Sequence, residues 1–188
     1  MKKKKDAVTE ERTGPIATAY EVVSVIVSAA IIILIVFMFI FRLSGVVGDS
    51  MNPTLENGDW TFLGQTGSKY EPEYGDIVVV SQPNQLSEVI IKRVIATEGQ
   101  TVDIDFQNGI VKVDGKELVE PYILEPTHMS FDREFPLTVP EGQVFVMGDN
   151  RNNSIDSRSS MIGCIDTDWI LGRVDYAYGA NGFEFFKG

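Results

Sequence analysis

Three short polar stretches interrupt a strand-rich sequence, and each holds side chains that could move a proton or attack a carbonyl. The first, GDSMNPTLENGDW at residues 48–60, sets Ser50 and Met51 ahead of a proline and a Gly-Asp turn. A serine there is either an ordinary loop residue or a nucleophile, and a nucleophilic serine needs a base beside it. The second is Lys92, inside VIIKRVIA. The third is MGDNRNNSIDSR, residues 147–158.

Lys92 follows Val89, Ile90 and Ile91 and precedes Val94 and Ile95. Strand side chains alternate, so Lys92 shares a face with Ile90 and Val94 while Arg93 shares one with Ile91 and Ile95. One reading is a half-buried strand with both charges at its edge. The other is a lysine held in an apolar pocket, where desolvation disfavours the ammonium and frees a neutral amine to act as a base. Such an amine could activate a serine hydroxyl.

The third stretch has neither strand nor helix period. A calcium loop wants Asp or Asn at the third position, and Arg151 stands there. Asn152-Asn153-Ser154 has the form of a glycosylation sequon, a match common by chance. Two readings remain: a solvated loop, or a brace of hydrogen-bonded Asn, Asp, Arg and Ser side chains behind a site. His128 lies in a Pro-flanked loop with no rigid strand to aim it. Asp103 and Asp105 alternate on one strand face and read as solvated, and Tyr176 and Tyr178 read as strand packing. With one histidine and one cysteine, Cys164, an intramolecular disulfide is excluded and the composition argues against the usual zinc sites.

These stretches need elements to hold them. Residues 22–41, VVSVIVSAAIIILIVFMFIF, run twenty residues without a charge. A helix of about 20 residues spans about 30 Å, the thickness of a bilayer core. The run is apolar on every face, unlike a core helix. It is also longer than the apolar region of a cleaved secretory signal, and no small-residue cleavage site follows it. An uncleaved anchor is expected. MKKKK and Arg12 precede the run, which places the N-terminus in the cytoplasm and the following domain outside, in a single-pass cell-membrane protein. The expected division is a basic tail at 1–20, an anchor at 21–43 and an extracytoplasmic domain at 44–188. Net charge is −11, with +2 over residues 1–42 and −13 over the rest. So acidic a domain does not bind nucleic acid. Beyond residue 43 the chain shows short β-rich runs set off by turn residues: DWTFLG, DIVVVSQ, EVIIKRVIA, TVDIDF, GIVKVDG, LTVP, QVFVMG and WILGRVDYAYG. Residues 120–137 hold Pro121, Pro126 and Pro136 and read as a loop or flap. The expected fold is mainly β, with antiparallel, barrel-like or Greek-key sheets behind one N-terminal transmembrane helix.

Taken in order behind one membrane span, the boxes GDSMNPTLENGD, GDIVVV, IKRVI, MGDNRNNSIDSR and ILGRV resemble the bacterial type I signal peptidases, in the short Gram-positive form. The resemblance covers the whole chain. It implies a serine endopeptidase with Ser50 as nucleophile and Lys92 as general base. Ser154 would orient the lysine amine, Asp156 and Arg158 would pair as a brace, and Asp149 would sit near Arg93. The Ser50 N–H would form part of the oxyanion hole. Gly48 stands where some relatives carry a serine that adds a second donor. Met51 and Ile91 would line shallow apolar pockets. The implied partners are signal peptides of secreted preproteins and the lipid bilayer, with no metal or cofactor and no assigned oligomeric state. After KRVI the chain reads ATEGQTV, where the family usually has a Gly-x-Pro-Gly-Asp turn. Other readings are a specialised pilin-processing or pilus-assembly relative, and a non-catalytic anchored β domain that binds partners. A self-cleaving Ser-Lys peptidase of the SOS-repressor type would lack the anchor.

Overall fold

A computed structural model describes residues 14–40, 42–64, 70–81, 89–180 and 182–186. The chain divides into two compact units, Met1–Phe41 and Arg42–Gly188. The first is built on one helix, α1 (Pro15–Ile40, 26 residues). Proline at its first position suits a helix start, since its missing N–H would have had no intrahelical partner. At 1.5 Å per residue α1 is roughly 39 Å long, more than a bilayer core requires. Within it Thr18–Ile35 has a mean hydropathy of 2.3, and none of that stretch is buried. A helix with apolar side chains exposed all round is stable only where lipid or protein covers it. The lysines at 2–5, on which the expected topology rests, lie outside the described residues.

The second unit is all antiparallel β. Its strands are β1 (Arg42–Gly45), β2 (Trp60–Leu63), β3 (Ile77–Val80), β4 (Ile90–Thr97), β5 (Thr101–Asp105), β6 (Ile110–Val113), β7 (Lys116–Glu117), β8 (Leu137–Thr138), β9 (Gln143–Met147), β10 (Ile165–Asp166), β11 (Ile170–Gly179) and β12 (Gly182–Phe185). The larger sheet runs β1-β2-β11-β3-β4-β9-β10, with β12 paired to β11. The smaller runs β7-β6-β5-β8. All eight β-rich runs form strands. The sequence reading missed β1, β7, β10 and β12, which have two or four residues and no clear alternation. Arg42 and Leu43, expected in the anchor, pair instead with Leu63 and Phe62 of β2.

Burial follows composition. Ile77–Val80, four β-branched residues, is buried at every position because the core covers both of its faces. In β5 the alternation is sharp: Val102 and Ile104 are buried and Asp103 is exposed, as its solvated-face reading requires. Irregular register between Val94 and Ala96 on β4, and between Val174 and Tyr176 on β11, bends both strands and curls the larger sheet. One core cluster fills the space between the small sheet and β4–β9, around Phe145, Met147, Val102 and Val111. A second gathers Met51, Leu55, Leu63, Ile77, Val79 and Val174 beneath the loop that carries Ser50. The turn after β4 is closed by a side chain, with the Thr97 N–H donating to Gln100 Oε1 at 2.8 Å.

Candidate active site

Ser50 sits in a tight turn between β1 and β2. Gly48 opens it with φ +88°, a left-handed conformation that favours glycine, and its N–H donates to Asn57 Oδ1 at 3.0 Å. The turn then closes on itself, Leu55 N–H donating to Met51 O at 2.9 Å. Met51 and Leu55 drop into the core beneath, and Ser50 is left half-buried at the rim. Burying those two apolar side chains stabilises the turn by about 1.5–3 kcal/mol each, so the serine is aimed by packing.

The strand β4 delivers Lys92 to it. Lys92 Nζ lies 2.7 Å from Ser50 Oγ and 3.0 Å from Ile91 O. The lysine is 4% exposed, which decides between its two readings: it is an interior lysine and not an edge charge. Burial pulls its pKa down from the ordinary lysine value to about 8, against an upward pull from Asp156 and Asp149, while Arg158 adds to the lowering.

The third stretch is a brace. Asp156 and Arg158 are fully buried and pair through two contacts, Nε to Oδ1 and Nη2 to Oδ2, each 2.8 Å. Asp156 Oδ2 also accepts the Gly148 N–H at 3.0 Å. Arg158 donates further to the carbonyls of Arg151 at 2.6 Å and Met129 at 2.8 Å. Asp149 takes both Nε and Nη2 of Arg93, at 2.8 and 2.6 Å, and accepts from Thr54 Oγ1 at 2.5 Å. Arg93 is the chain neighbour of Lys92, and Thr54 follows Ser50 by four residues, so this node ties both segments together. Ser154 is buried, and its Oγ has no hydrogen-bond partner among the described residues. Leaving a buried hydroxyl unpaired costs about 1–3 kcal/mol.

Gly148 was not singled out in the sequence. A Cβ there would stand 2.2 Å from Ser154 Oγ and 2.4 Å from Ser50 O. The loop and the serine turn therefore approach at backbone distance, sealed by Asn150 N–H donating to Ser50 O at 3.1 Å. A glycine outside any turn, between a buried strand and a polar loop, was the available signal. Glu120, Tyr122 and Arg151 were missed as well. Arg151 is fully buried and held by both oxygens of Glu120, at 2.5 and 2.8 Å. The 120–137 segment, read as a flap, is thus pinned by a buried ion pair.

Beside the Ser50–Lys92 contact lies a cleft of about 450 Å³. One wall is Ser44–Gly48, the other Val89–Lys92, with Met51 and Ile155 between them. On the second wall Ile90, Ile91 and Lys92 pair with β3, but β9 joins β4 only from Arg93 onward. That flank of main chain has no strand partner among the described residues. His128 is exposed in its loop, and its Nδ1 lies 3.1 Å from Phe106 O. Among the described residues no three His, Cys, Asp or Glu side chains gather as a metal site would need. The outer face of β1, β2, β11 and β12 is aromatic. Trp60, Tyr176, Tyr178, Phe183 and Phe185 are all exposed there, with Tyr178 and Phe183 rings 4.8 Å apart and Tyr176 and Phe185 rings 5.0 Å apart.

Residues 19–178 match the family described as signal peptidase, peptidase S26. A probable signal peptidase I-1 from Synechocystis is 41% identical over 145 residues, covering 73% of this chain and 71% of that protein. Signal peptidase I of Bacillus licheniformis is 33% identical over 180 residues, covering 90% and 94%. A crystal structure of a signal peptidase I from Enterococcus faecalis is 29% identical, with a TM-score of 0.47 over 57% of this chain and 99% of that one. By the extent of the family match and by these identities, the chain belongs to the signal peptidase family, peptidase S26.

Proposed function

We propose that this chain is a membrane-anchored serine endopeptidase that removes signal peptides from secreted preproteins, with Ser50 as nucleophile and Lys92 as general base. The observation that carries the reading is the 2.7 Å contact between Ser50 Oγ and a buried Lys92 Nζ at the edge of an open cleft. When Lys92 is neutral, the hydroxyl donates to the amine lone pair. The amine takes the proton as Oγ attacks the scissile carbonyl. The ammonium then gives its proton to the leaving amine, and an acyl-enzyme remains. Neutral again, Lys92 takes a proton from water as it attacks the ester, then returns that proton to Ser50 Oγ as the ester C–O bond breaks and the acid product leaves. The developing oxyanion needs fixed donors. The Ser50 N–H carries no hydrogen bond among the described residues and is available for this. The Gly48 N–H is already committed to Asn57. The hydrogen bond expected from Ser154 to the Lys92 amine is not formed in this structure, where Ser154 Oγ is buried and unpaired and Nζ contacts Ser50 and Ile91 O; the Asp149 and Asp156 pairs hold the two segments in place.

The substrate lies extended in the cleft and adds a strand along Ile90–Lys92, whose outer flank is unpaired. Small side chains before the scissile bond fit against Met51 and Ile91. Residues 21–41 anchor the enzyme, residues 1–20 stay in the cytoplasm and residues 42–188 form the catalytic domain outside, as the N-terminal lysines direct. The aromatic outer face of β1, β2, β11 and β12 supports contact with the bilayer, since such rings favour the interface. A binding-only β domain would have no use for a buried lysine against a serine.

The test is detergent-solubilised protein with a precursor carrying Ala-x-Ala, its cut site read by mass spectrometry. Cleavage after the second Ala is expected, with none by a folded Ser50→Ala variant. Equal cutting of Ala and Phe at that position would remove the signal-peptide reading, and activity in Ser50→Ala would remove the nucleophile.

A further inference from the structure

The Arg93–Asp149 pair beside the dyad is almost completely dry, with Asp149 fully buried and Arg93 8% exposed. Four of the five donors on the edge of the Arg93 guanidinium are used. Nε and Nη2 go to Asp149, Nη1 to Gly75 O at 2.8 Å, and Nη2 also reaches Thr54 Oγ1 at 3.4 Å. Beyond its last donor, what a planar cation has left is its face. The ring of Tyr122 covers that face, with the guanidinium carbon 4.0 Å from the ring centroid.

Tyr122 is itself held. Its hydroxyl donates to Glu120 Oε1 at 3.0 Å and lies 3.2 Å from the Tyr74 hydroxyl. Burial first, then the Glu120 carboxylate and Tyr74, pushes its phenol well above the usual range, so it stays neutral. Glu120 is forked onto Arg151, whose Nε donates to Gly148 O at 3.1 Å. The Leu124 N–H donates to Asp149 O at 3.2 Å. A ring from the proline-rich loop is therefore locked over the charged node that joins the serine turn to the lysine strand.

We infer that Tyr122 is a positioning residue for peptide-bond cleavage: its ring face seals the Arg93–Asp149 pair from water and, through that pair, keeps Ser50 and Lys92 in register. The inference rests on the dyad reading above. With the seal gone, water competes for Arg93, and Asp149 is left less neutralised. Asp149 and Asp156 raise the pKa of Lys92 and Arg158 lowers it, so a freer Asp149 moves Lys92 toward its ordinary value.

The test compares wild type with Tyr122→Leu, which keeps bulk without an aromatic face, and Tyr122→Phe, which keeps the ring without the hydroxyl. Turnover of an Ala-x-Ala precursor is followed against pH. In parallel, the pH dependence of Lys92 labelling by an amine reagent is followed by mass spectrometry, which needs no turnover. Tyr122→Leu should lose about 5- to 30-fold in kcat with little change in KM. Both of its pH profiles should move to the alkaline side. Tyr122→Phe should stay near wild type in both. A Tyr122→Leu protein with a lowered Tm but wild-type kcat and labelling profile would overturn the inference, leaving a structural role only. So would a Tyr122→Phe protein as defective as Tyr122→Leu, which would transfer the role to the hydroxyl. A wild-type enzyme that fails to cut the precursor would count against the dyad, while the labelling profiles still decide the role of Tyr122.

Discussion

Gly148→Ala is the smallest change that reaches the heart of the site. It adds one methyl group and imposes no backbone strain of the left-handed kind, since Gly148 is not among the glycines with positive φ. That methyl would lie 2.2 Å from Ser154 Oγ, 2.5 Å from Ser154 Cβ and 2.4 Å from Ser50 O. Carbon contacts at van der Waals distance are about 3.5–4.0 Å, so the turn, the loop or both must move by roughly an ångström. Neither can move cheaply. Ser154 is walled in by the Asp156–Arg158 pair, and the Ser50 carbonyl is held by the Asn150 N–H. Overpacking of this kind costs about 1–3 kcal/mol, and each kcal/mol lowers Tm by about 2–4 °C in a chain of this size. The catalytic cost is larger. A 1 Å misplacement of a nucleophile can cost about 100-fold in rate, and the displaced atom here belongs to Ser50 itself. Single-turnover cleavage of an Ala-x-Ala precursor, beside a thermal melt, measures both effects. A Gly148→Ala protein with wild-type rate and Tm would show that loop and turn are not in backbone contact, and the brace argument would fail with it.

Other expected outcomes use separate parts of the structure. Lys92→Arg should be as inactive as Lys92→Ala, because arginine cannot give up its proton; an active arginine variant would reduce Lys92 to a mere charge. On the proposed reading, the wild-type kcat/KM should rise with pH through about 8 and level off above it, since neutral Lys92 would be the base and its pKa is lowered; a profile flat from pH 6 to 10 would contradict this. Asp156→Asn leaves Arg158 buried without a counter-charge and should cost about 3–5 kcal/mol in a denaturant melt, whereas a loss under 1 kcal/mol would show the pair to be dispensable. In sealed cells, added protease should digest the unit after residue 43 and spare the lysine tail; digestion of the tail alone would reverse the proposed topology.

How far the sequence could be read depended on sequence distance. Eight strands were legible because β-branched residues cluster between glycine turns, and the lysine face was legible because alternation is a local property. Lys92 shares its face with Ile90 and Val94, and Val94 is indeed fully buried. β7 and β10, at two residues each, fall below any pattern, and β1 hid behind the apolar run that precedes it. The contacts that organise the site are long-range. Arg93 meets Asp149 across 56 residues, and Arg151 meets Glu120 across 31. No periodicity encodes those meetings. The proline-rich segment looked free for this reason: its anchors, Glu120, Tyr122 and Thr127, are ordinary loop residues until Arg151 and Arg93 come to them. Met51 was expected at the cleft and is found there, but it is also 1% exposed and part of the core, so it shapes the cleft floor while holding the turn.

On the proposed reading of Lys92 as general base, burial must prevail over two nearby carboxylates, and Arg158 helps it. At pH 7 an amine with a pKa near 8 is neutral in about one molecule in ten, and one at the ordinary 10.5 in about one in three thousand. Burial supplies that difference, and Asp149 and Asp156 oppose it. Removing the carboxylates would free the base but dismantle the brace, since each holds main chain or side chain of the serine turn and the 148–158 loop. Leaving them unpaired would hold the loop but raise the lysine. Each is instead forked onto an arginine, Arg93 or Arg158, in a contact of 2.6–2.8 Å. The paired charges keep their hydrogen-bonding power, and Arg158 offsets part of the upward pull that Asp156 and Asp149 still exert on Nζ. Replacing Arg158 should therefore do two things that stability alone does not link: loosen the loop, and move the kcat/KM profile of whatever folded protein remains to the alkaline side.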